Sequence, residues 1–467
     1  LGIRPGLARS WTVADDGRSY RFLLRQGVRF HDGRLVDAEA VVASITRALS
    51  PGKEHPCLAE TYLLGIEGAA AYREGKAERV TGLRALGSDT LEVRLSEPLS
   101  YFLSVMCMDQ LKIVPRLRPG ESLNAHPVGT GPFRWLAQRP DGEILLARFE
   151  EYWGGTVYPD TLRFVVPGRP LTGAEEVAWL ARGKVHVIPL AAAHRKTVEN
   201  LSGFRIMRFP DFSITFIGLD ARHPPLDRVE VRQAIAAAID RPRLLTPAAA
   251  GVVNPATGIL PPRMAGYQPE PKVIAYDPAR ARDLLARAGY GERNPLPPIP
   301  YYTGGEDTSR YERELVRQLA EAGIRLQIHS CGWAELDARI MAGRAPMFEL
   351  SWLADIPDPD AVFYFLFHTG EPNNLFGFSS ARVDSLLEAG RRMTPGPERF
   401  AVYRQIESLV IEQVPIVPIF TSTSLYAWNP AVRGVEPNPF GFALTPFSRV
   451  WFSAGGPGAE DVTEKVR

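Results

Sequence analysis

Tyr20-Arg21-Phe22-Leu23-Leu24-Arg25 and Val28-Arg29-Phe30 read as a strand interrupted by a turn at Gly27. His31-Asp32-Gly33 closes that strand as a second turn, since Asp and Gly tolerate the dihedrals a tight reversal needs. Asp37 then stands before Ala38-Glu39-Ala40-Val41-Val42, and Ile45 and Leu49 continue a helical period. This is the pattern of an N-capped amphipathic helix. Further strands are predicted at 89–95 and 143–149.

The stretch from 214 to 245 is the most sharply patterned. Ile214–Leu219 is a short apolar run that predicts a buried strand, and Pro224-Pro225 ends it. Asp227 with Glu230 has capping-box spacing, and Val231, Ala234, Ile235, Ala238 and Ile239 share one helical face. Asp277-Pro278 places a cap before a proline at the first helical position. Ala281, Leu284, Leu285 and Ala288 form the apolar face of that helix, and Gly289 stops it. Strands are predicted at 299–302, 324–328 and 348–352, with helices at 309–322 and 333–341 between them. Such alternation through short loops predicts α/β layering with a largely parallel sheet. From Gly455 onward the residues are Gly-rich and charged, and predict a loose tail.

At 467 residues the chain exceeds one compact core, so two or three domains are expected. With 45% apolar and 23% charged residues the composition is that of an ordinary soluble protein. A formal net charge of +1, with the basic residues scattered, argues against a nucleic-acid stripe or a polybasic membrane patch. No stretch approaches the roughly 20 apolar residues that cross a bilayer. Cys57, Cys107 and Cys331 stand apart, which suits neither a disulfide framework nor a zinc site; one bridge is compatible with the count, and nothing selects it. The chain opens at Leu1 without a targeting segment, as both a processed protein and a trimmed one would.

Catalytic signatures are missing. There is no Walker loop, G-x-G-x-x-G, G-x-S-x-G or H-E-x-x-H, and no two histidines fall at i, i+2 or i, i+4. The carboxylates Asp355, Asp358 and Asp360 suggest calcium at first sight. Pro357 and Pro359 interleave them, however, and the glycine and distal glutamate of a calcium loop are lacking, so turn chemistry is the reading for Asp358 and Asp360. No catalytic residue, cofactor or metal is expected, and the chain reads as a binding protein rather than an enzyme.

Five segments, in order, resemble the family 5 extracellular solute-binding proteins that serve oligopeptide, dipeptide and nickel importers. They are Pro5–Trp11 running on through Asp15-Asp16-Gly17, Tyr20-Arg21-Phe22 and Leu24–Gly33 to Asp37–Val41; His126–Phe133 with Tyr152-Trp153-Gly154-Gly155; Pro224–Asp227 through Val231–Ile235 to Ala238–Arg241; Tyr276-Asp277-Pro278 through Gly289-Tyr290; and Trp352–Pro359. Together they cover nearly the whole chain. Relatives carry several dozen residues before the Pro-Gly-Leu-Ala segment. Where the family commonly reads Gly-x-x-Asp, this chain has Gly183-Lys184-Val185-His186.

The resemblance implies an α/β, two-lobed, periplasmic-binding-protein-like clamp (type II, cluster C) with an extra subdomain in lobe one. Lobe one is then 1–220, with the subdomain at about 38–110; lobe two is 221–424, and 425–467 returns to lobe one. In the family the lobes close over a solute held between them. The implied partners are a peptide or similar small solute and an ABC permease in the membrane, with no nucleic acid, and the implied state is a monomer. The implied location is periplasmic, or extracellular and membrane-anchored. In peptide-binding relatives the aspartate of Trp-x-x-Asp pairs with the ligand ammonium, and Asp355 takes that place. Backbone of Ser351, Trp352 and Leu353 would pair with an extended peptide, and Trp352 would line a side-chain pocket. Tyr101 and Phe102 would approach the cleft, and Phe216 lies on a crossing strand. Two further readings stay open: a nickel-chelate, sugar or opine ligand on the same clamp, and the ligand-sensing domain of a transcription regulator.

Overall fold

The computed structural model describes residues 2–50, 59–118, 121–124, 126–245, 252–270, 272–305, 309–436, 438, 440 and 444–453. Cys57 and the tail from Gly455 lie outside these residues, and Cys107 and Cys331 are free thiols. The chain divides into two compact units, residues 1–209 with 425–467, and residues 210–424. The strand at 213–219, assigned from sequence to the end of lobe one, thus lies in the second unit.

In the first unit, β1 (Ala8–Val13), β2 (Ser19–Leu24), β3 (Leu83–Ala85) and β4 (Thr90–Arg94) form an antiparallel sheet in the order β1-β2-β4-β3. Tyr20, Phe22 and Leu24 alternate inward from β2, as do Leu91 and Val93 from β4. Helix α1 (Ala38–Ala48) covers that face with Val41 and Ile45, and Asp37 Oδ1 caps it by accepting from the Ala40 N–H at 2.7 Å. Because β2 pairs directly with β4, strands on both sides of residue 38 belong to one sheet. The stretch Val28–Phe30 forms only an isolated bridge, Arg29 to Leu35, because Gly27 and Gly33 take positive φ on either side of it.

His31 ties this sheet to the Val128–Phe133 loop. Its Nδ1 accepts from the Gly129 N–H at 3.2 Å, so Nε2 carries the proton and donates to the Gly131 carbonyl at 3.1 Å. Burial holds the imidazole below its usual pKa, which keeps this neutral form. Trp153 adds a bond from Nε1 to the Thr130 carbonyl at 3.0 Å. Residues from the first two segments that carry the family resemblance therefore meet in one hydrogen-bonded cluster. Strands β5 (Phe133–Gln138), β6 (Ile144–Arg148) and β7 (Thr161–Phe164) form a second antiparallel sheet. Strands β8 (Val187–Pro189) and β9 (Arg205–Pro210) both pair with a late strand, whose Tyr426–Trp428 lie opposite β8.

The second unit is built on a sheet ordered β11-β15-β10-β14-β12-β13. Its centre is β10 (Ser213–Leu219), buried at all seven positions as its unbroken apolar run predicts. Helix α2 (Val229–Ala237) comes next. Its cap is Arg228, with no side-chain bond, and not Asp227, whose N–H is already turned back to the His223 carbonyl. Strand β11 (Val253–Pro255) leads on to α3 (Pro278–Arg287), capped by Asp277 through the Arg280 N–H. Next come β12 (Ile299–Gly304), α4 (Arg310–Glu321), β13 (Leu326–Cys331), α5 (Trp333–Met341) and β14 (Met347–Leu353). Strand β13 starts two residues later than predicted because the Ile324 N–H returns to Leu319 as α4 ends, leaving Ile324 in the core.

This stretch has the predicted parallel pairing, β12 with β13 and with β14. Beyond it the sheet is antiparallel: β10 with β14, and β10 and β11 with β15 (Ile416–Trp428). Those strands come from distant parts of the chain and are not joined by the helix crossovers that enforce parallel order. Gly218 on β10 lets Phe348 and Phe376 close over the strand; a methyl group there would lie 2.6 Å from the Phe348 ring. Three more helices complete the unit, α6 (Asp360–Phe367), α7 (Ala381–Arg392) and α8 (Pro397–Gln413).

Candidate ligand-binding strand

Strand β14 runs antiparallel to β10 in unbroken register, from Met347 opposite Leu219 to Leu353 opposite Ser213. The Thr215 and Ser351 hydroxyls meet across that pair at 2.7 Å. Pairing extends one residue further, where the Ala354 N–H donates to the Phe212 carbonyl at 3.0 Å. On the other side β12 reaches only Met347 and Phe348. Among the described residues, no strand pairs with Ser351–Leu353 on that edge. Ser351 is exposed, Trp352 is half-buried, and Leu353 is 57% exposed.

The segment after β14 is held at several points. The Trp352 Nε1–H donates to the Ala361 carbonyl at 2.9 Å, tying the strand to the first turn of α6. Ile356 is buried. Asp358 accepts two hydrogen bonds from Arg399 of α8, at 2.7 and 2.8 Å, and its Oδ1 also accepts from the Asp360 N–H. Asp360 accepts from the Tyr403 hydroxyl at 2.9 Å, and its other oxygen lies 3.3 Å from Nε of Arg391. Asp355 is half-buried between the fixed Ala354 and Ile356. A carboxylate with its backbone fixed on both sides loses little freedom on meeting a ligand.

The turn expected of Asp358 and Asp360 is present as the Asp360 N–H bond to Asp358. The arginines that pair with them were not singled out by any pattern in the sequence. Burial would by itself lower the pKa of Arg399, but the hydrogen bonds and charge of Asp358 outweigh it and hold the guanidinium above its ordinary value. Burial is also the main cause that pushes Asp360 up to about 6, against the opposing pull of Arg391.

With a folded pKa raised above the unfolded one, Asp360 contributes stability below about pH 4 that is lost as pH rises through about 6. Asp360→Asn removes this titration. The stability of wild type relative to this variant should fall by about 2–3 kcal/mol between pH 4 and pH 7. Urea unfolding of both proteins across that range checks it, and parallel curves would mean that Asp360 does not titrate there.

The remaining residues expected at the ligand lie inside the units. Tyr101 is buried edge-on to Tyr62, and Phe102 is buried against Tyr20 at 4.8 Å between ring centroids. Phe216 is fully buried on β10, edge-on to Phe376. All three side chains are buried, and Phe216 lies opposite Leu350 of β14 in the β10 pairing. Among the described residues no group of His, Cys, Asp or Glu has metal-holding geometry, and no helix is long and apolar enough to cross a membrane.

The fold is that of periplasmic binding proteins. HbpA2 from Haemophilus parasuis matches with a TM-score of 0.82 at 23% identity, covering 97% of this chain and 91% of that one. The binding protein DppA from Helicobacter pylori, solved with the peptide STSA, matches at 0.77 and 24%, covering 97% and 90%. Residues 2–374 match the family described as bacterial extracellular solute-binding proteins, family 5 Middle, and the chain belongs to that family. Among sequence relatives, "Probable di/tripeptide-binding protein 5" of Pseudomonas aeruginosa is 30% identical over 96% of this chain and 87% of its own length. The dipeptide-binding protein of Escherichia coli K12 is 27% identical over 94% and 84%. Heme-binding protein A of Haemophilus influenzae is 28% identical over 94% and 83%.

Proposed function

We propose that this solute-binding protein takes short peptides with a free α-amino group and delivers them to an ABC permease, acting as a monomer outside the cytoplasm. The observation that carries the reading is the open edge of β14 at Ser351–Leu353, succeeded at once by the braced carboxylate of Asp355. A dipeptide or tripeptide laid along that edge adds a strand through backbone bonds, which read chain length without reading side chains. Asp355 then meets the ammonium group in a charge-assisted hydrogen bond. The relatives named as dipeptide- and di/tripeptide-binding support the same ligand class. The catalytic reading is disfavoured by family membership, whose description is of binding proteins.

Titration calorimetry with a panel of free dipeptides and tripeptides tests this. Dissociation constants in the micromolar range or tighter, about −8 kcal/mol or more favourable, are expected. Saturable binding of haem, with none of any peptide, would overturn it.

A further inference from the structure

We infer that Glu349 gives the bound peptide a preference for a positively charged side chain. The inference rests on the peptide reading above and goes beyond it. Alternate residues of a strand share a face, so Met347, Glu349, Ser351 and Leu353 lie together on one side of β14. Met347 is buried in the core with Tyr301, Leu315 and Leu319, while Ser351 and Leu353 are exposed. Glu349 stands at the boundary between them, half-buried, one step in from the open edge.

Among the described residues, its surroundings supply hydroxyls but no counter-charge. The Tyr301 hydroxyl donates to Oε2 at 3.4 Å. The buried Tyr311 hydroxyl lies beside the same carboxylate and has no closed hydrogen bond. A second carboxylate, Glu312, is near enough to act on Glu349 by repulsion, and is itself bound by the Thr303 hydroxyl at 2.6 Å and by the Ser309 N–H. Among the described residues, no lysine, arginine or histidine forms an ion pair with either. Burial first, and then Glu312, raise the pKa of Glu349, so the ionised carboxylate is held at a cost that a cation would relieve. Two other buried carboxylates of this unit have basic partners: Asp358 has Arg399, and Glu407 has Lys272 at 2.7 Å.

The strand edge supplies the path. A peptide residue opposite Ser351 on an added strand has Glu349 as its diagonal neighbour, about 7–8 Å away, within reach of a long side chain. A lysine or arginine there carries its charge to the carboxylate while its methylenes lie along the strand face.

Calorimetry at pH 7 with alanine tripeptides tests this, with lysine or its neutral analogue norleucine placed at each of the three positions in turn. Wild type should bind the lysine peptide at least tenfold more tightly than its norleucine counterpart at one position. In Glu349→Gln, which keeps the shape of the side chain, the ratio should fall to within twofold while norleucine peptides bind as before. In Glu349→Asp part of the preference should survive. Equal affinity for lysine and norleucine peptides in wild type overturns the inference whatever the variants do, as does a ratio unchanged in Glu349→Gln. Either result leaves peptide binding standing. Failure of every peptide to bind wild type overturns the peptide reading, and the role of Glu349 with it.

Discussion

Asp355→Asn should weaken binding of a free-amine peptide by about 2–5 kcal/mol, some 30-fold to several thousand-fold, and should barely alter binding of the same peptide N-acetylated. An ammonium group shielded from water needs a counter-charge, and most of the loss is the cost of leaving that cation unpaired. Acetylation removes the cation first, so the acetylated peptide binds poorly to wild type and loses little more on mutation. The two proteins and two ligands form a thermodynamic cycle whose coupling energy isolates the pair. Urea unfolding of both proteins in parallel separates a loss of affinity from a loss of fold. Equal losses for both ligands would make Asp355 a turn residue and remove the main residue-level support for peptide recognition.

Arg399→Met should destabilise the second unit by about 3–5 kcal/mol, measured as a shift in the urea midpoint. Arg399 is fully buried, gives both ends of its guanidinium to Asp358, and donates from Nε to the Gly390 carbonyl at 2.7 Å. Its loss strands the Asp358 carboxylate and removes one of the cations that offset Asp360. The double variant Asp358→Leu with Arg399→Met should recover much of the loss, because replacing a whole buried pair by apolar groups costs far less than halving it. A single-variant loss below about 1 kcal/mol would mean that water reaches the pair. The same variant should also weaken peptide binding, since Asp358 anchors the segment that carries Asp355.

How much of the molecule was legible in its sequence depended on the range of each interaction. Asp37 and Asp277 cap the helices that their spacing announces, because a cap is settled within four residues. Asp227 looked equally suited, but the turn after Pro224-Pro225 had already engaged its backbone, and the helix begins later. The parallel order of β12, β13 and β14 comes from helices between neighbouring strands. The antiparallel flank of β10 and β15 depends on pairings between segments about 200 residues apart, which no local pattern encodes. The same holds at the candidate strand. Asp355 and Ser351–Leu353 were visible as a motif, whereas Arg399 lies 41 residues from Asp358 in a helix with no mark that sets it apart from other arginines. Tyr101, Phe102 and Phe216 show the converse: an aromatic ring has the same appearance in a sequence whether it is exposed or buried, and here all three are buried.

The shortness of the open stretch on β14 bears on how the protein behaves in concentrated solution. An unpaired strand edge is a template on which a second copy of a chain can assemble, and long flat ones drive aggregation. Here β12 occupies the edge as far as Phe348, and the strand ends at Leu353, just before the Asp355–Pro359 bend. The unpaired run Ser351–Leu353 is about 10 Å of extended chain. On the proposed reading that length accommodates a dipeptide or tripeptide, and it is far shorter than the long flat edges on which chains aggregate.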